Sequence, residues 1–194
     1  MASLPENPNK PSWLDHYEIT HWSWACCYQA ERYLKIAAEN QRTFTEFMNL
    51  DRTPTKYEEM QLNRAKEVLA AYDFVSALGV LLRILPRANV LFPEMKKVIR
   101  SASHITQEGK ALRDMLEHAH DNKGYLRGGG RYPEEFIRVD PDDNIAADAT
   151  STVITNRGHI LGNRLCVEEA YAELLKIHQC AQTLPLPNDD DDND

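Results

Sequence analysis

Arg113 and His118 stand five residues apart in Leu112-Arg113-Asp114-Met115-Leu116-Glu117-His118. On a helix that spacing is about 7.5 Å along the axis and about 140° around it, so a long arginine side chain can bend back toward the imidazole. Arginine is a permanent cation that grips phosphate through two parallel hydrogen bonds. Histidine exchanges a proton near neutral pH. The pair is chemically sufficient to hold a phosphodiester and to move the proton of a ribose 2′-hydroxyl, with no metal or other cofactor required. Asp114 can orient one partner, and Glu117 can raise the basicity of the imidazole. With 13 arginines and 7 histidines in the chain, an arginine followed by histidine at such a spacing arises about once by chance. The weight therefore comes from context: a helical segment, a polar residue directly after the arginine, and a position late in an all-helical run.

Other chemical constellations are thinner. Glu117 and His120 form a single Glu-x-x-His, and a di-metal carboxylate site needs a second copy, which the sequence lacks. His118 and His120 are about 200° apart on a helix and cannot chelate one metal there. Ser101, Ser103 and His104 lack the strand-turn-helix setting of a nucleophile. Cys26, Cys27, Cys166 and Cys180 form no Cys-x-x-Cys pair and read as free thiols packed like small hydrophobes. His16 and His21, with Trp13, Trp22 and Trp24, read as an aromatic core. Trp22 and Trp24, two residues apart, cannot share a helix face, so one of them is expected to be less buried or to face a partner. Downstream of the motif, Lys123, Arg127 and Arg131 alternate with Tyr125 and Tyr132 around Gly128-Gly129-Gly130. That loop either is simply solvated or extends an RNA-contacting surface.

The segment from Leu112 to His118 resembles the signature of HEPN domains: Arg, a polar residue, and His after four to six intervening residues. The helical layout up to about Asn122 is similar as well, and the resemblance covers roughly Trp13 to Gln182. The resemblance implies a helical bundle that dimerises and brings two copies of the motif together. Many members of that family are metal-independent endoribonucleases, often toxins or anti-phage effectors, and many others are binding modules without activity. Carried over, Arg113 would stabilise the phosphate, His118 would be the acid and base, and Asp114 the polar helper. Lys123, Arg127 and Arg131, taken from the composition of their loop and not from the resemblance, are the candidate RNA contacts. Position 120 is His where one subgroup has Tyr, which disfavours a toxin of that type. The implied partners are a second copy, single-stranded RNA, and an antitoxin or other protein. The alternative function is a silent helical module that binds nucleotide, RNA or a protein.

The elements that must position these residues are mostly helices. Residues 1–12 hold three prolines and no apolar rhythm, and read as a flexible arm. Trp13 to Asn40 reads as a long helix with Trp13, Tyr17, Cys27, Ala30 and Leu34 inward. Residues 41–55 read as a connection, with a helical turn at Phe44 to Met48. A second helix is expected from Lys56 to Leu85, with Met60, Arg64, Val68, Tyr72, Val75, Leu78 and Leu82 on its stripe and Pro86 as its stop. A third runs from Pro93 to about Asn122, where Gly109 marks either a break or a close helix crossing. Phe136 to Val139 suggests a short strand and Asp140 to Asn144 a turn. Ser151–Thr155 and His159–Leu161 flank Asn156-Arg157-Gly158 as a hairpin, and Val167 to Gln182 is the closing helix. The expected fold is mainly α: an antiparallel long-helix bundle with a small β-hairpin insertion, at about 136–162, before the last helix. Residues 13–184 form one domain, and 185–194 a disordered acidic tail.

Composition agrees with that outline. The chain has 194 residues, 42% hydrophobic and 27% charged, with a formal net charge of −8. Five of its acids fall in the last six residues, so the body carries only −3. A globally basic nucleic-acid binder is excluded, while a local basic patch is not. The segment Met1-Ala2-Ser3-Leu4-Pro5-Glu6 has no basic stretch before an apolar run, and no apolar run approaches the ~20 residues of a membrane span. The expected compartment is the cytoplasm, with no membrane partner.

Overall fold

Two helices of nearly 40 residues form the frame of the computed structural model, which describes residues 10–49, 52–118, 137–139 and 146–186. The first, α1, spans Trp13–Asn49, and the second, α2, spans Pro54–Leu91. They run antiparallel, as shown by the ladder Asp15–Arg87, Arg32–Asp73, Asn40–Glu67 and Thr43–Asn63. Two short helices follow, α3 at Met95–Ser101 and α4 at Ser103–His118. Strands β1 (Ile137–Val139) and β2 (Ala146–Asp148) pair antiparallel. Strands β3 (Thr152–Thr155), β4 (Gly158–Leu161) and β5 (Leu165–Cys166) make a second antiparallel sheet. The chain closes with α5, Val167–Gln182. One apolar cluster joins all of these helices, with Tyr33, Phe74, Leu78, Met95, Leu112 and Ile177 fully buried.

The mainly α bundle with its hairpin before the last helix is the fold expected from the sequence. Several boundaries differ. Residues 41–49 continue α1 rather than forming a connection. Thr43 and Thr45 are accommodated because each hydroxyl bonds the carbonyl four residues back, and Asn63 on α2 donates to Thr43 Oγ1 at 3.0 Å. Thr53 caps α2 and Pro54 occupies its first turn, so the helix starts before Lys56. Pro86 does not stop it. Proline removes one ladder bond and strains the preceding turn, but burial of Leu85, Ala88 and Leu91 carries the helix through to Leu91. The expected third helix is instead two, broken at Ala102. Ser101 Oγ bonds the Val98 carbonyl there and also reaches Glu173 of α5, a side-chain competition that weakens a helix locally.

The stripe assignments also need correction. Val68 and Tyr72 are exposed, while Asn63, Ala70 and Phe74 are buried. Trp13 and Tyr17 face outward, and Ile19, Cys26 and Tyr33 take the inner face of α1. By length and composition α2 would suffice to cross a membrane. In this fold its apolar side packs against α1, α3 and α4.

Gly109 marks a close crossing, not a break. It lies in the middle of α4 against Leu78 of α2, where an added Cβ would stand 2.5 Å from Leu78 Cδ2. Gly79 of α2 does the reciprocal service, leaving space for the aliphatic stem of Arg113. The hairpin docks beside α4 and against Tyr33 of α1. Gly162 (φ 58°) and Asn163 (φ 54°) turn the chain in the left-handed region, Leu112 fills the space over Gly162, and Arg164 pairs with Glu108 at 3.5 Å.

The start of α1 is held electrostatically. Ser12 and Asp15 cap each other, and Asp15 also accepts from Arg87 Nη2 at 2.9 Å. The Arg87 hydrogen bond outweighs burial and, with the Ser12 bonds, holds the Asp15 carboxyl down to about 2. A carboxyl lowered by folding adds stability above its unfolded value, near 3.8, and loses it as pH falls through 2. Unfolding in urea between pH 5 and pH 2 is expected to show about 2 kcal/mol of acid loss from this group. Asp15→Asn should be less stable at neutral pH and correspondingly flatter over that range.

Candidate functional site

α4 carries the motif, and its amphipathic pattern decides which motif groups are held. Leu112 and Met115 are buried in the core, leaving Arg113, Asp114 and Glu117 on the margin and outer face. Arg113 is the most constrained of the three. Its stem lies over Gly79, and its side chain is only 20% exposed. Nη2 contacts Asp114 Oδ1 at 3.2 Å and Glu117 Oε2 at 3.0 Å. Nε is buried without a hydrogen-bond partner. Arg113 and Asp114 are thus in contact, and both carboxylates attend the arginine. His118 is the last residue of α4, and its side chain lies outside the described residues. Lys123, Arg127 and Arg131, with the Gly128–Gly130 loop and the turn at 140–144, lie outside them too.

Beside the motif is a cleft of about 710 Å³ between the end of α2, α3 and α4. Leu82, Leu85 and Ile99 form its apolar floor, and Lys96, Arg100 and Lys110 stand on its rim. No carboxylate lines it, and these three cations make no ion pair among the described residues. Lys110 precedes Arg113 by three residues and so neighbours it on the helix surface. Sequence reasoning missed the cleft cations because Lys96 and Arg100 precede the motif and belong to a different helix. The available signal was Lys96 and Arg100, four apart, just upstream on the same helical run.

A second polar cluster was also missed. His159 of β4 donates its backbone N–H to Glu168 Oε2 at 2.9 Å, and its Nδ1 lies 2.7 Å from Glu168 Oε1. Its Nε2 is buried without a partner, and its ring meets Tyr33 edge-on at 6.0 Å. Gly158 (φ 121°) makes room for the Glu168 carboxylate. Burial pushes Glu168 up, but the His159 bonds win and hold it below the usual carboxylate range. The Cys166 thiol points at the Arg157 carbonyl, 3.2 Å away, and burial raises it. That is the setting of an inert thiol rather than a nucleophile. Together with the two-pronged Arg157–Glu169 pair at 3.1 Å, the cluster clamps the hairpin to the first turn of α5. Cys26 and Cys27 are buried free thiols as expected, whereas Cys180 is only half-buried. Among the described residues, no three His, Cys, Asp or Glu side chains converge to hold a metal ion.

No family model, curated protein or solved structure matches the chain.

Glu168→Ala would leave the His159 amide and imidazole buried without their acceptor. The expected cost is about 2–3 kcal/mol in urea unfolding. Amide hydrogen exchange should then speed up across β3 and β4 first.

Proposed function

We propose that the protein is a metal-independent endoribonuclease of HEPN type that acts on single-stranded RNA as a homodimer, in the manner of a toxin or defence effector. The observation that carries this reading is the group of cations that α3 and α4 bring together. Arg113 is fixed in place by Gly79, Asp114 and Glu117, and Lys96, Arg100 and Lys110, which make no ion pair among the described residues, line the cleft next to it. The body is otherwise mildly acidic, so this local concentration favours a polyanion at that face. Both carboxylate contacts of Arg113 use Nη2, which leaves Nη1 to meet a phosphate oxygen.

In the proposed reaction His118 takes the proton of the ribose 2′-hydroxyl. The 2′-oxygen attacks phosphorus, the P–O5′ bond breaks, the His118 imidazolium returns its proton to the leaving 5′-oxygen, and a 2′,3′-cyclic phosphate remains. Arg113 neutralises the charge gathering on the phosphate oxygens. Lys96, Arg100 and Lys110 hold the flanking backbone. Lys123, Arg127 and Arg131 extend that contact.

A second reading is favoured by the same arginine. With two carboxylates on Nη2 and a buried Nε, Arg113 also serves as the strut between α4 and α2, as it would in a silent helical module that binds RNA, nucleotide or a protein such as an antitoxin.

Cleavage of a mixed-sequence RNA in EDTA separates the two. The expected result is cleavage that falls at least 100-fold in His118→Ala and in Arg113→Ala, with helical content unchanged. Lys96→Ala/Arg100→Ala/Lys110→Ala should weaken RNA binding and reduce the slope of log affinity against log salt by about 2. Equal cleavage by wild type and His118→Ala, or none by either, removes the ribonuclease reading and leaves the silent module.

A further inference from the structure

The cleft between α2, α3 and α4 gathers Lys96, Arg100 and Lys110 around an apolar floor. All three residues are exposed, and they make no ion pair among the described residues. The chain itself supplies a dense source of the opposite charge. Asp189, Asp190, Asp191, Asp192 and Asp194 fall within residues 187–194, which lie outside the described residues.

We propose that this acidic tail docks in the cleft of its own chain, as a tethered polyanion that competes with any other for the same three cations. The first support is where the tail begins. α5 runs antiparallel to α3: Ser101 Oγ meets Glu173 at 3.0 Å, and the Cys180 thiol reaches the Glu94 carbonyl, 3.6 Å away, just before α3 starts. Leu184 is buried, with its carbonyl 3.3 Å from His16 Nε2, next to the Asp15 that pairs with Arg87 near the end of α2. Pro185 and Leu186 are exposed. The chain therefore surfaces where α2 finishes and α3 begins. The wall of the cleft starts at the same place: Pro86 and Asn89 line it from α2, and Lys96 from the first turn of α3.

The second support is reach. Pro185 and Pro187 favour an extended chain at the exit. At about 3.1–3.3 Å per residue, Asp189 to Asp194 can lie roughly 10–25 Å beyond Leu186. Lys96 and Arg100 follow Glu94 by only about 3 and 9 Å along the helix axis. The third is charge. Five carboxylates face three cations, while other cations around the exit already have partners, Arg87 in Asp15 and Lys176 in Glu173. A short flexible tether gives the tail an effective concentration of about millimolar, so individually weak surface pairs suffice to hold it. The docking needs no catalysis. Its consequence, that the tail keeps single-stranded RNA off the cleft until RNA displaces it, rests on the ribonuclease reading above.

The test begins with a zero-length carbodiimide on the full chain, which joins a carboxylate to an amine only where the two touch, followed by mass analysis of the peptides. Unlabelled and nitrogen-15-labelled protein are mixed so that links within one chain carry a single label. At low salt, tail aspartates should link to Lys96 or Lys110 at least ~10-fold more than to Lys66 or Lys176, within one label, and the links should vanish at about 1 M salt, where charges are screened within about 3 Å. Tail links spread evenly over the lysines, links of mixed label only, or no links overturn the inference. Anisotropy of a fluorescent oligouridine then reads the consequence. Asp189→Asn/Asp190→Asn/Asp191→Asn/Asp192→Asn/Asp194→Asn should tighten its binding at least ~10-fold, and Lys96→Ala/Arg100→Ala/Lys110→Ala should abolish that gain. A gain of equal size in the cleft variant marks diffuse repulsion and overturns the inference. The expected links, with oligouridine bound neither by the wild type nor by the tail variant, uphold the docking and remove the ribonuclease reading instead.

Discussion

Everything around the candidate site depends on the close approach of α4 to α2. Two glycines make it: Gly109 admits Leu78, and Gly79 admits the stem of Arg113. A helix in which glycine costs about 1 kcal/mol of propensity relative to alanine has to recover that in contact, and here the contact is with a fully buried leucine. Once α4 is seated, Leu112 lies under Gly162 and Glu108 meets Arg164. The hairpin is thereby fixed, and through Glu168 and Glu169 so is the first turn of α5. The arginine of the motif sits at the centre of this chain of contacts, which is why a functional role and a structural role converge on the same side chain.

The charge distribution follows a second constraint. Acids outnumber bases over the whole chain, yet among the described residues the cleft between α2, α3 and α4 is lined by cations with no carboxylate. Elsewhere several charges are paired, Asp15 with Arg87, Arg32 with Asp73 and Arg157 with Glu169. Unpaired like charges at one place raise the energy of the empty protein slightly, and an anion bound there relieves it. Apolar groups divide in a similar way. The inner face of α1 is spent on the bundle core, and its outer face keeps a row of rings stacked on one another.

How much of this was legible differs by element. The closing helix and the hairpin were readable because Asn156-Arg157-Gly158 demands a tight turn and residues 167–182 hold a clean helical stripe. The extension of α1 through Thr43 and Thr45 was not, since their local preference is for turns and the deciding partner, Asn63, is twenty residues away on another helix. Pro86 misled for the same reason: its local penalty is real, but buried neighbours on either side overrule it. The aromatic row misled in the opposite sense. Tryptophan and tyrosine at helical spacing look like core, and only the competing inner face, with Ile19 and Tyr33, shows that they are not.

The sequence by itself determined the helical class, the order of the elements and the candidacy of Arg113, Asp114 and His118, because these depend on local periodicity, turn chemistry and residue type. Tertiary structure alone decided which face of each long helix is buried and that Gly109 is a crossing point. It also decided that Asp114 and Glu117 hold Arg113, and that Lys96, Arg100 and Lys110 share one cleft. Those outcomes depend on which surfaces meet across tens of residues, and no local pattern in the chain encodes that pairing.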